Sequence, residues 1–236
     1  MSAANTNKWI GVGLLGLALY GALTFWTALD PQPDPNTDYE AWAQYVSTNY
    51  YVLKHLFGSI LGLVFALFGT FALGAYLSRS RAGRLGLVAM VITVFGYALF
   101  LPVMGVATFA APGEGQAYLA GDEEFAEITS TGFAATMQTL LVLLVPALLL
   151  VGNVLLGVAV WRSGTLPRWA GALWAVAAVL MLLLGQVVAI FLTGSTPVTV
   201  GVGAVLLVIS GVWMAWSVLR EPSAGAVGVQ AQPRVQ

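Results

Sequence analysis

Lys54 and His55 stand side by side, the one place where a cation adjoins the chain's single histidine. Such a pair can hold an anion or a lipid headgroup, or couple binding to protonation near neutral pH. The competing reading is structural: the lysine reaches water along its own methylenes while His55 bonds a loop carbonyl. With one histidine and no cysteine, the chain has no disulfide, thiolate metal site, cysteine nucleophile or covalent haem attachment. Two histidine ligands for one haem cannot come from one chain, and no cofactor is expected. Glu123 and Glu127 are four residues apart, on one face of any helix. With Asp38, Glu40 and His55 they are the residues that could gather around a divalent cation. Nothing in their spacing fixes a coordination geometry, so no metal site is assigned and the acids are read as solvated loop residues. The chain has no H-E-x-x-H, phosphate loop, dinucleotide fingerprint or G-x-S-x-G elbow. No catalytic residue is assigned, and the reading leans away from an enzyme.

Three amides, Gln138, Asn153 and Gln186, lie within long apolar runs. Amides there bond between helices, or line a cavity for a neutral or amphiphilic ligand. No Asp or Glu lies deep in any run, where ion-coupled carriers usually place an ionisable group.

Six apolar runs must position these residues, at about 9–29, 51–77, 85–110, 133–161, 169–192 and 197–219. A helix needs roughly 20 apolar residues to cross a bilayer. The composition agrees, with 59% of residues hydrophobic and 8% charged, against about 25% charged in soluble domains. So few charges cannot coat a water-facing surface. The first run exceeds the roughly 7–15 apolar residues of a secretory signal core, and is expected to be a retained helix. The expected fold is all-α: one bundle of six transmembrane helices over residues 1–221, followed by a disordered cytoplasmic tail, 222–236.

Charge orients the bundle. Lys8, Arg79, Arg81, Arg84, Arg162, Arg168 and Arg220 fall at one set of helix ends, and the long acidic loops at the other. Basic residues are retained on the cytoplasmic side, so both termini are expected there; Lys54 is the dissenter. Pro31, Pro33 and Pro35 make an extended exit from the first helix. Thr37 and Glu40 have capping-box spacing, which starts a helix at Asp38. Residues 38–49 then lie along the headgroups as an amphipathic helix, or simply extend the next helix into water. Pro112-Gly113-Glu114-Gly115 reads as a turn, and Asp122 as the cap of a short helix. Pro102 and Pro146 interrupt two helices. Gly58 and Gly62 give a third a small-residue face. The basic segments 76–84 and 161–168 echo each other, either as repeated hairpins or because the positive-inside rule demands as much of any short inner turn.

The segment Arg162-Ser-Gly-Thr-Leu-Pro-Arg168-Trp169 resembles a turn that recurs in a domain-of-unknown-function group of bacterial multi-pass membrane proteins. Gly164 would end one helix, Pro167 start the next and Trp169 sit at the interface. The resemblance implies a bacterial inner-membrane location and brings no catalytic residue. The first functional expectation is an accessory or structural subunit. The second is a transporter or lipid-binding protein using the Lys54/His55 rim with Gln138, Asn153 and Gln186. The third is a membrane enzyme with outer-face carboxylates. Membrane lipids, and a protein partner or second copy, are the expected partners. A net charge of −1 gives no basic field for nucleic acid.

Overall fold

The structure is a computed structural model that describes residues 3–122, 132–185, 189 and 197–220. Among them every regular element is a helix. The long ones are α1 (Ala3–Ala28), α3 (Asn49–Leu77), α4 (Gly83–Phe109), α6 (Gly132–Ser163), α7 (Arg168–Leu184) and α8 (Val198–Leu219). The short ones are α2 (Tyr39–Val46) and α5 (Ala111–Leu119), which continues α4. Five of the helical stretches are long and apolar enough to cross a membrane; α7 is shorter over its described residues. The tail 222–236, Gln186 and the helix expected around Asp122–Glu127 lie outside the described residues beyond Asp122 itself.

The long helices close a ring. α1 packs on α3, α3 on α4, α4 on α6, α6 on α7, α7 on α8, and α8 returns to α1. Acidic loops lie at one end and the basic turns at the other. The basic half is solid, with Leu14, Leu17, Leu73, Leu77, Leu156, Trp174 and Met214 in one buried cluster. Outward, the ring presents Phe68, Val91 and Phe95, each more than half exposed. Water does not tolerate such a continuous apolar face; acyl chains do.

Glycines let the backbones meet. A Cβ on Gly157 would stand 2.7 Å from the Gly171 carbonyl oxygen, and one on Gly16 2.8 Å from that of Phe65. Gly58 and Gly62 face Thr27, Tyr20 and Leu23 of α1, so the small-residue face of α3 packs within the ring.

The two basic turns are built alike. Ser80 Oγ donates to Leu77 O at 2.7 Å and accepts from Ala82 N at 3.1 Å. Ser163 Oγ donates to Val160 O at 2.8 Å and accepts from Thr165 N at 3.2 Å. Upstream, Gly69, Leu73, Gly74, Arg79 and Ser80 recur at the same spacing as Gly152, Leu156, Gly157, Arg162 and Ser163. Gly69 and Gly152 each face the preceding helix of the ring, at Leu17 and Thr93. Gly74 and Gly157 face the following one, at Met90 and Gly171. In α8, Ser210 Oγ donates to Ala170 O of the preceding helix at 2.8 Å, and Gly211 meets Ala18 of the following one. The positive-inside rule requires none of this. The echo is therefore one of packing as well as charge.

Two local expectations change. Asp38 does start α2, accepting from Ala41 N at 2.9 Å; Thr37 instead bonds back to Asp34 O at 3.3 Å. But α2 is not a simple extension of the next helix: it ends at Val46, with Trp42, Ala43 and Val46 buried and α2 packed on α5. The segment Pro112–Gly115 is the start of α5, not a turn. Proline is tolerated in a first helical turn, where its missing N–H has no partner to lose. Gly115 serves close approach: a Cβ there would stand 2.8 Å from Ala43 O.

Candidate functional site: a cavity at the acidic end

Two neighbouring spaces open in the acidic half. The larger, about 240 Å³, lies between α1, α3, α4, α7 and α8; Tyr20, Thr24, Ser59, Leu63, Met104 and Met181 are among its lining. The smaller, about 120 Å³, is polar and lined by Thr27, Asp30, Gln32, Tyr45, Lys54, His55 and Ser59. Thr27 and Ser59 border both, so an apolar chamber adjoins a polar vestibule.

Local irregularities shape the chamber. α3 is π-helical over Lys54–Leu61, and α7 over Val179–Leu184. Such wide turns concentrate at functional sites, and both stretches contribute lining residues. Pro102 stands in α4 between the lining residues Phe100 and Met104, and supplies no N–H to the carbonyl four residues back.

Lys54 is neither a free cation nor a group reaching water. It is 4% exposed. Its ammonium donates to the Asp30 carbonyl oxygen, to Tyr45 Oη at 2.9 Å and to Asp30 Oδ2 at 3.4 Å. Tyr45 Oη in turn donates to Asp30 Oδ2 at 2.9 Å. Burial first, then the Asp30 carboxylate, push the Tyr45 phenol well above its ordinary value. All three ammonium hydrogens have acceptors, so Lys54 latches the end of α1 to α3 and the vestibule carries no net charge. His55 sets Nδ1 3.1 Å from Tyr51 O and stacks on the Tyr51 ring at 4.0 Å. Nδ1 thus carries a hydrogen, and Nε2 is left for the vestibule.

The cap over this end is held by Tyr39, which donates to Glu114 Oε1 at 2.8 Å, and Tyr51, which donates to Ala107 O at 2.8 Å. Burial first, then Glu114, push the Tyr39 phenol up to about 12, so it remains a donor at ordinary pH. Asp38 caps α2, and Glu40 accepts from Gln44 at 3.2 Å. Among the described residues no three acidic, histidine or cysteine side chains gather as a metal site.

Lys54 and His55 therefore meet at one site, and Asn153 does not join them. Asn153 is 3% exposed on α6 and donates to Leu149 O of its own helix at 2.8 Å. Its amide also reaches the Tyr97 hydroxyl, and Tyr97 packs edge-on against Tyr20 at 5.8 Å. The Asn153 oxygen has no partner among the described residues, and Asn153 does not border the chamber. Gln138 lies on α6 with its side chain outside the described residues, and Gln186 is outside them altogether. Asn153→Leu removes an unpaired buried oxygen but also the amide's bond to Leu149 O and its reach to Tyr97, effects of about 1 kcal/mol each and of opposite sign. It should leave the melting temperature within a few degrees of wild type and leave ligand retention unchanged; a lost ligand would place Asn153 in the site after all.

Asp30, Gln32, Tyr45 and Ser59 were not singled out from the sequence. One signal was there: Tyr20, Thr24 and Thr27 are spaced four and three residues apart, a polar stripe on an otherwise apolar helix. The chain matches no family model, no curated protein and no solved structure.

Proposed function

We propose that this is an integral protein of a bacterial cytoplasmic membrane, with six spans and both termini cytoplasmic, that binds an amphiphile with an uncharged, hydroxyl-bearing head. The observation that carries this is the shared wall of Thr27 and Ser59, which joins an apolar chamber to a polar vestibule. With Lys54 and Asp30 satisfying each other, the vestibule offers Gln32, Ser59 and His55 Nε2 to hydroxyl groups and no spare cation to an anion. The chamber is smaller than the roughly 300–1,000 Å³ of drug-sized sites, which suits one acyl segment. An accessory-subunit role would want an outward small-residue face on α3; Gly58 and Gly62 are turned to α1 instead.

The probe is monooleoylglycerol, added to the purified full chain in neutral detergent and read by native mass spectrometry. Wild type should retain it about tenfold better than lysophosphatidylcholine. Ser59→Leu, which fills the shared wall and removes a hydroxyl, should lower retention about tenfold, the equivalent of roughly 1.4 kcal/mol. Equal retention by Ser59→Leu and wild type would reject the site.

A further inference from the structure

The cations at the basic end are of two kinds. Arg168 lies over the rings of Trp161 and Trp169 at 5.8 and 5.7 Å, and Arg220 over Trp216 at 3.9 Å. Aromatic faces stabilise these charges. Among the described residues Arg81, Arg84 and Arg162 have no such cover. They line an open groove of about 530 Å³ between the α3–α4 turn and the end of α6, together with Ser78, Ser80 and Leu87. Among the described residues no carboxylate pairs with any of the three. The groove is built from two separate turns. Gly164, at φ +73°, makes the α6–α7 turn, and the Arg81 guanidinium lies against it where any side chain would stand.

We infer that this groove binds the phosphate of an anionic phospholipid headgroup. Guanidinium forks match phosphate oxygens, and three of them demand an anion. The lipid source follows from the wall: Leu87 belongs both to the groove and to a stripe of exposed apolar residues on α4, Leu87, Val91 and Phe95, one turn apart. A phosphate in the groove sets its acyl chain along that stripe. The inference rests on the chain lying in a bilayer and not on the acidic-end cavity.

The test uses the full chain in neutral detergent with dioleoylphosphatidylglycerol or dioleoylphosphatidylcholine, retained lipid being counted by native mass spectrometry. Wild type should keep the anionic lipid preferentially. Each arginine near a charged lipid surface is worth about 1 kcal/mol, or fivefold. The triple variant R81Q/R84Q/R162Q should therefore lose about a hundredfold, while Arg79→Gln, outside the groove, should change retention less than twofold. Monooleoylglycerol retention should not move in the triple variant, which separates this site from the acidic-end one. If the triple variant fails to run as a single gel-filtration peak, Arg84→Gln alone should show the fivefold loss and a shallower salt dependence. Unchanged phosphatidylglycerol retention in the variants overturns the inference, and so does an equal loss in Arg79→Gln. Displacement of the lipid by millimolar inorganic phosphate shows a free-phosphate site and overturns the lipid assignment.

Discussion

Gly171→Leu should prevent α6 and α7 from closing against each other. A Cβ at Gly171 would stand 2.5 Å from the Gly157 carbonyl oxygen and 2.8 Å from Trp161 N. These obstacles are backbone atoms of a packed helix, and no rotamer change moves them aside. Overpacking a core typically costs about 1–3 kcal/mol where side chains can yield; with backbone on backbone the loss should be at least about 3 kcal/mol. Thermal unfolding in detergent, followed by tryptophan fluorescence, reads it as a fall of many degrees. Gly105 is the control, because a Cβ there meets nothing within 4 Å. Gly105→Ala should stabilise by about 0.5–1 kcal/mol through helix propensity. If Gly171→Leu melts with wild type, the α6–α7 seam is misplaced.

Asp30→Ala should be the more damaging half of an asymmetric pair. The Asp30 side chain is 45% exposed and that of Lys54 5%. Removing the carboxylate leaves a buried ammonium with a carbonyl and a hydroxyl as its only acceptors. Removing the ammonium by Lys54→Met leaves a carboxylate that water can solvate. Breaking a buried pair costs about 3–5 kcal/mol, and the half-exposed partner puts Asp30→Ala near the lower bound. Lys54→Met should cost less, and the double variant should recover much of the Asp30→Ala loss. A double-mutant cycle on the melting curves measures this. Equal single losses, or a double variant no better than Asp30→Ala, would show that Lys54 is not latched as described.

Helix placement was legible for five of the runs, which are long and apolar and carry charge near at least one end. The basic turn at 161–168 was legible to the residue: Gly164 takes a positive φ, and Pro167 immediately precedes α7. The acidic end was harder. Lys54 reads as an interfacial cation, since burying it depends on Asp30, which is remote in sequence and close only once α1 and α3 pack. Pro112–Gly115 carries turn residues, yet its glycine answers the approach of α2, a tertiary demand invisible in a local window. The π-helical stretches have no periodic signature of their own. The packing repeat was written in Gly69, Gly74, Gly152 and Gly157, but comparing only the basic turns hides it behind the charge rule.

Because α8 lies between α7 and α1, the later-made α8 is a neighbour of the earlier-made α1. Gly11 of α1 faces Leu219, and Gly21 faces the Ala204 carbonyl and Val208. Until α8 is made, those two notches lack the neighbour that fills them in the folded chain. The circle shuts when α8 arrives, so insertion order and final architecture are coupled, and the nascent helix α1 has to wait in the bilayer with one flank unpaired.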